Sequence, residues 1–323
     1  MADVFSTTTS GLGSNLVTMA YDKLIEINLR NTPQFRAIAD KKVGNPTHDG
    51  SSIRFQFHND IADTTIAGAT LAETVDPDAV ALPATTTLDV SQVELGRVVL
   101  PTRKLSLMSL ADVDPWIANA VSFNMAMTLD AGIAAVLDAG TNVIRESAGA
   151  LSTSAAKTTI VGSDTLKGRD IRYAVTKLRA SNVLTRGGMY TAYVHPEVSH
   201  DLRTETGNNI WRTPNEYQNI NALYAGEIGA WEGVRFIETP TMTNTQSGSG
   251  TGGSQVRVYN TYVLGQQALA EAVWKEPGIE FGNVVDKLNR FRPVGWHGII
   301  NWAVFRQAAL YRIETASSVR PTA

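Results

Sequence analysis

Cysteine is absent from the 323 residues, which excludes disulfides, thiolate metal sites and a cysteine nucleophile together. Charge is sparse as well, with Asp, Glu, Lys and Arg making up 18% of the chain. The formal balance is −3, so bulk cationic attraction to DNA or anionic lipid is not a general explanation of what it does. Apolar runs are broken every few residues, and none approaches the ~20 uninterrupted positions of a membrane span. The opening MADVFSTTTSGLGSN has no basic start followed by an apolar segment, so no secretory signal is expected. Against these absences, 43% of the residues are hydrophobic, too many for a fully disordered chain. What remains is a soluble protein, cytosolic or particle-forming, long enough for a sizeable core and two lobes.

The pattern changes along the chain. Residues 1–13 are small and polar and read as a flexible arm. From Ser14, a plausible N-cap, Leu16, Met19, Ala20, Lys23, Leu24 and Ile27 recur at helical spacing, until Asn31 and Pro33 stop them. Ile53, Phe55 and Phe57 then alternate with Arg54, Gln56 and His58, the period-two sign of a half-exposed strand. A second alternation returns over 87–93, before Val98, Val99 and Leu100, and the polar, proline-bearing stretch between the two has no period. A projecting hairpin with a long tip is the simplest account. It is acidic: residues 51–100 hold two arginines against seven carboxylates, a local charge of −5.

The clearest helix follows, with Asp114 able to cap, Pro115 at the first position and Gly140 just past the end. Its stripe is Trp116, Ala120, Phe123, Met127, Ala131 and Ala134, widened by Ile117, Val121 and Val136. About 24 residues make a rod of about 36 Å, a spine for other elements. Residues 141–163 read as a loop or small insert, and Asp164 opens a second helix with Leu166, Ile171, Ala174, Val175 and Leu178 on its apolar side. Lys167, Arg169, Arg172, Lys177 and Arg179 cover the other side, and 166–212 carries a local +4. Short strands are expected at Tyr190–Val194 and Gly233–Glu238, and a mobile loop at 241–254, where trimming 244–253 should cost little. β-like sequence resumes after it, and 266–274 is ambiguous between helix and strand. The order is α+β, not a doubly wound parallel sheet.

Chemistry is hard to find. Gly248, Gly250 and Gly253 spell G-x-G-x-x-G, but they sit in a serine-glycine tract that leads into a strand, the wrong frame for cradling a pyrophosphate. His195 and His200 are five apart with Pro196 between them, which does not suit a zinc pair; His195 is better placed to cap a helix beginning at Pro196. The carboxylate pairs Asp76/Asp78 and Asp112/Asp114 lack the ligand number and glycine turn of a calcium loop. No serine occupies a nucleophile elbow. Five of the six tryptophans lie in the second half, without the basic interleaving of a base-stacking surface, and read as core or interface packing.

The acidic hairpin is the informative remainder. An isolated two-stranded ribbon is marginal in water, so it needs a surface to lie on. The basic helix offers one, with Glu73, Asp76 and Asp78 set against Arg169, Arg172 and Arg179 of another copy; the competing reading leaves both charge runs solvated. A contact of that kind is heterologous and builds rings or shells.

Tyr193-Val194-His195-Pro196-Glu197-Val198, Asp201-Leu202-Arg203, Gly226-Glu227-Ile228-Gly229 and Gly233-Val234-Arg235-Phe236-Ile237-Glu238-Thr239 resemble major capsid proteins of tailed double-stranded-DNA bacteriophages. The close, Ala308-Ala309-Leu310-Tyr311-Arg312-Ile313-Glu314, is similar to that family's final strand. The resemblance implies a Hong Kong 97-type fold. It assigns 1–45 to an N-terminal arm, 46–105 to an extended loop, 106–182 to a peripheral domain with a spine helix at 112–139, 183–272 to an axial domain and 273–323 to returning peripheral strands. It also implies a structural protein, not an enzyme, with no cofactor, assembling as pentamers and hexamers into an icosahedral head around double-stranded DNA. The implied partners are further copies, a separate scaffold, portal and decoration proteins, and packaged DNA bound without sequence preference, with no membrane. The implied location is the virion, after assembly in host cytoplasm. The chain departs from some relatives in lacking a long charged N-terminal extension, so either the scaffold is separate or the form is mature. An encapsulin-like compartment shell is the alternative in the same fold; a soluble monomeric hydrolase or binding module is the alternative outside it.

Overall fold

The computed structural model describes residues 33–44, 50–61, 65–71, 73–74, 76, 79–108, 114–205, 227–249, 255–283, 286, 288 and 290–319. Most of the expected arm, with its helix over 14–31, lies outside them, as do Asp78, Asp112 and Trp211. Chain order begins β1 (Asp40–Val43), β2 (Ser52–Phe57), the single turn α1 (Ile66–Ala69), β3 (Thr86–Ser91) and β4 (Glu94–Val99). Next come α2 (Arg103–Met108), α3 (Asp114–Asp138), β5 (Val143–Ser147), β6 (Ala150–Ser152), α4 (Gly168–Ala180), β7 (Tyr190–Val194) and α5 (Pro196–Thr204). The rest is β: β8 (Glu227–Trp231), β9 (Val234–Glu238), β10 (Asn244–Ser249), β11 (Gln255–Leu264), β12 (Leu269–Phe281), β13 (Val294–Val304) and β14 (Leu310–Thr315). The class is α+β, as the order of patterns indicates.

Two sheets carry the body. One has the order β1-β12-β13-β4; the other runs β6-β5-β14-β11-β7-β9-β8, with β10 also on β11. β11 is central because its near-continuous apolar run can be buried on both faces. Two of its polar groups reach the end of α3: Asn260 Nδ2 and the Tyr262 hydroxyl both donate to Asp138 Oδ1 at 2.5 Å. Burial, then the Asp138 carboxylate, push the Tyr262 hydroxyl pKa far up, so it stays a donor.

Helix α3 spans about 37 Å at 1.5 Å per residue and touches both sheets. Ile117 and Val121 pack on Val294 and Trp296 of β13. Leu129, Ile133 and Leu137 share a core with Ile300 and Trp302 of one sheet and with Tyr262 and Leu310 of the other. The expected stripe holds at Ile117, Val121 and Ala134, which are buried, but not at Trp116, which is half exposed; apolar residues line most of the helix, and its neighbours set the phase. Gly132 helps to set it, because a Cβ there would lie 2.8 Å from the Trp302 ring. The same apolar length would suffice for a membrane span by composition, but here it is the spine between sheets. Mid-helix Asp130 is buried because it accepts the amide protons of Gln34 and Phe35 at 3.1 and 2.8 Å.

Three sequence expectations need correction. Residues 141–163 are not simply a loop: β5 pairs with β14 in parallel and buries Ile144. Within 241–254, Asn244–Ser249 forms an antiparallel strand on β11, so trimming it removes a sheet edge. Backbone pairing with a fixed neighbour overrides a Ser/Gly composition that packs little by itself. Asp164 does not open α4; its carboxylate accepts from the amides of Ala148, Gly149 and Val161, holding the β5–β6 turn where Ala148 and Gly149 both have positive φ. Strand β12 pairs along β13 from Leu269 to Phe281, and β14 pairs with β11 in the larger sheet.

Candidate assembly surface

The hairpin forms, and its two ends differ. Strands β2 and β3 pair antiparallel from Ser52↔Ser91 to Phe57↔Thr86. Their inner residues Ile53, Phe55 and Val90 are buried against Ala270, Ala272 and Trp274 of β12. Small alanines there leave room for large side chains, and Phe305 meets Phe55 edge-on at 5.2 Å between centroids. On the outer face Arg54 reaches Asp89 through two hydrogen bonds of 2.7 and 2.8 Å, which hold the Asp89 carboxyl below its usual pKa. The base thus lies on its own subunit.

The tip does not. Asn59 closes its neck by donating to the Ala84 carbonyl at 2.6 Å. Beyond that, Ile66 is 89% exposed and Leu82 81% exposed, with Leu71 and Val80 also open. Residues 58–85 contain five carboxylates and no lysine or arginine. Glu73 and Asp76 are exposed and have no ion pair among the described residues.

The structure does not bring these acids to the expected arginines within the subunit, and two of the three are already engaged. Arg169 pairs with Glu146, a buried carboxylate that also accepts from Lys167 Nζ at 2.7 Å. Arg172 pairs with Glu232 at 2.9 Å and lies over the Trp231 ring. Arg179 is exposed, its guanidinium beside Gly233. The apolar side of α4 is as expected, with Ile171, Ala174, Val175 and Leu178 buried. Sequence reading missed the partners because Glu146 and Glu232 sit on segments far along the chain from α4.

A different cationic region was not foreseen. At the far end of the four-stranded sheet, Arg97, Arg103, Lys104 and Arg292 are exposed beside Leu107, Met108 and Phe281. The exposed Val98-Val99-Leu100 run was the available signal; the partners of Val98 and Val99 across the sheet, Gly295 and Val294, come nearly two hundred positions later.

Signs of catalysis are few. His195 caps α5, its Nδ1 accepting from the Glu197 amide at 3.2 Å. No group of His, Asp and Glu suited to a metal occurs among the described residues. A cavity of about 630 Å³ opens between residues 33–38, α3 and the strands β7 and β9. Its Asp130 holds backbone amides and its Arg186 holds Asp40 and the Ala37 carbonyl, so these charges serve structure.

A spine helix between two sheets, with an acidic ribbon projecting from the body, is the architecture that the comparisons must match. The phage capsid protein family model matches residues 118–306, more than half of the chain, and the chain belongs to that family. The fold is similar to the capsid of Cyanophage Pam1 (TM-score 0.72, 14% identity, covering 98% of this chain and 100% of that one). It is similar also to the capsid of Ralstonia phage GP4 (0.72, 13%, 97% and 98%) and that of Cyanophage P-SCSP1u (0.71, 15%, 98% and 97%). No curated protein matches the sequence. The fold is the Hong Kong 97-type capsid fold, and the protein is a structural major capsid protein.

Proposed function

We propose that copies of this chain associate as pentamers and hexamers and close into an icosahedral head around double-stranded DNA, with the hairpin tip as an inter-subunit contact. The observation that carries this is the division of one ribbon into a buried base and an uncovered, apolar, acidic tip. Monomeric proteins seldom leave such side chains open without a partner. The chain acts as structure and not as an enzyme. Its partners are other copies, a separate scaffold, portal and decoration proteins, and DNA enclosed without sequence reading; a charge of −3 lets the genome move past the wall. Shells are built in host cytoplasm and remain in the virion. The arm is assigned to 1–45, the extended loop to 46–105 and the spine to α3, with the four-stranded sheet as peripheral and the larger sheet as axial body.

Electron microscopy and sedimentation of the expressed chain test this. Closed particles with nuclease-protected DNA after infection are expected, and a monomer under every condition overturns the reading. Particles that hold a co-purifying enzyme and no genome replace it with a compartment shell. Reversing Glu73, Asp76 and Asp78 to Lys should leave the subunit folded and impair particle formation; normal shells mean the acidic tip is only solvated.

A further inference from the structure

We infer that residues 14–31 dock as a helix along the N-terminal half of α3 in the same subunit, on the apolar stripe that runs from Trp116 to Met127. The inference concerns the single subunit and goes beyond the assembly reading above.

One line of α3 changes character at its middle. At about 100° per residue, Trp116, Ala120, Phe123, Met127 and Ala134 all fall within about 80° of Asp130 around the helix axis. On the C-terminal side of Asp130 this line is closed, with Ala134 and Leu137 buried in the core that both sheets share. On the N-terminal side it is open. Trp116 is 50% exposed, Ala120 and Met127 are half-buried, and these three enter none of the cores among the described residues. Ile117 and Val121 bury the opposite side against β13, so this half of the helix has a second apolar face, the pattern of a helix covered from both sides.

Asp130 is also where the upstream chain arrives. Its carboxylate holds the amides of Gln34 and Phe35, and the Tyr193 hydroxyl donates to the Gln34 carbonyl at 3.2 Å. The Phe35 ring meets that of Tyr193 edge-on at 4.9 Å between centroids. The chain is thus pinned at the point where the stripe changes from closed to open. Pro33 stands just before it and disfavours helix at the residue ahead, which sets 14–31 off as a separate stretch tied to the middle of α3.

Length and side chains select the occupant. At about 1.5 Å per residue a helix over 14–31 is about 27 Å long, and α3 runs about 21 Å from Trp116 to Asp130. The two run parallel, with Gln34 level with Asp130. Counted back at equal rise, Ala20 comes level with Trp116, Leu24 with Ala120 and Ile27 with Phe123. These are the apolar positions of the segment, and a small side chain faces a large one at Trp116 and again at Ala120, which lets the helices approach and interlock. The short tether at Pro33 makes the contact intramolecular, so a high effective concentration favours the chain's own segment over that of a second copy.

The test uses the full chain as dilute, unassembled subunit. Trypsin cuts after Lys23 and Arg30, and docking should make both cuts at least about ten-fold slower than in Ala20→Asp with Ile27→Asp, because cleavage follows the population of the open form. That pair alters only the segment, so the melting curve should still show a folded body. Trp116→Asp with Ala120→Asp, on the other side of the contact, should release the same two bonds. Wild-type cleavage as fast as in both variants overturns the inference. Independently, because the chain has no native cysteine, Leu24→Cys with Ala120→Cys should oxidise to a monomer that runs faster on a non-reducing gel. Linked dimers in its place, or protection that vanishes on dilution, assign the segment to another copy and overturn docking within the chain; absence of any disulfide overturns it as well. None of these measurements needs a particle, so they succeed or fail separately from the assembly reading.

Discussion

Base and tip belong to one ribbon, yet they obey different rules. In the base, apolar and polar residues alternate, and the chain itself covers the apolar row: Ile53, Phe55 and Val90 retain 7%, 7% and 3% of their exposure. In the tip the large apolar residues among those described fall at 61, 66, 71, 80 and 82, without a period, and stay open. A strict period of two means a face with a partner fixed by the same fold, because register and pleat must agree. Aperiodic apolar residues in an acidic loop mean a partner that arrives later. Subunit stability should therefore depend on the base, and assembly on the tip.

Substitutions can break that division if it is wrong. The largest effect on the subunit is expected from Phe55→Ala, which opens a cavity between Trp274 and Phe305 and should cost about 3–5 kcal/mol. The denaturant midpoint of the unassembled subunit reads it, and an unchanged midpoint means the base is held by a neighbour and not by its own sheet. Next is Arg36→Ala, on the opposite side of the strand that carries the base. Arg36 holds the buried Glu271 through Nε and Nη2 at 2.8–3.2 Å, and Trp302 Nε1 donates to the same carboxylate at 3.0 Å. Removing the guanidinium leaves a buried charge with one neutral donor, a loss of about 3 kcal/mol. A midpoint within error of wild type would contradict that account.

Much of this was legible in the residues, and where it was not the cause is physical. The hairpin, the α4 core face and the His195 cap follow from local signals of period and spacing. The buried face of α3 was read only in part, at Ile117, Val121 and Ala134 but not at Trp116, because a helix apolar on most sides carries little phase information, and Gly132 with Trp302 decides it from 170 residues away. β10 was hidden because its pairing energy lies in the backbone and in β11, not in its own side chains. The acidic partner of the interface was visible as composition. The cationic end of the four-stranded sheet was not, since Arg97, Arg103 and Arg292 gather only after β4 has paired with β13; Arg169 and Arg172 stood out as a local run, and distant carboxylates had already claimed them.

A pH-dependent effect, smaller again, belongs to the subunit body. Burial first, and then the neighbouring Glu146 carboxylate, push Asp170 up from 3.8 to about 7. An acid raised on folding keeps a proton that the unfolded chain releases. Its contribution is therefore fullest below about pH 4 and declines as pH climbs toward about 7. Asp170→Asn should flatten that part of the stability profile, since an amide oxygen can still accept from the Lys167 amide that Asp170 now holds at 3.0 Å. Urea midpoints at pH 5 and pH 8 measure it; an identical pH slope in the variant means another group titrates. Being remote from the hairpin, the substitution should leave assembly at pH 5 as in wild type.

The smallest effect on the subunit, and the most telling, is expected from Ile66→Ser with Leu82→Ser. Both side chains already face water, so the folded subunit loses no buried contact and its midpoint should move by less than about 0.5 kcal/mol. Assembly should nonetheless fail or demand much higher protein concentration, because the apolar half of the contact is gone while the carboxylates remain. Sedimentation at several concentrations separates this from charge effects: raising salt should weaken the Glu73 and Asp76 contribution by screening but should not rescue the serine variant. A drop in the subunit midpoint means the tip is covered within its own chain, and shells of normal yield mean its apolar side chains touch nothing in the particle. Either result would erase the difference between the two ends of the ribbon.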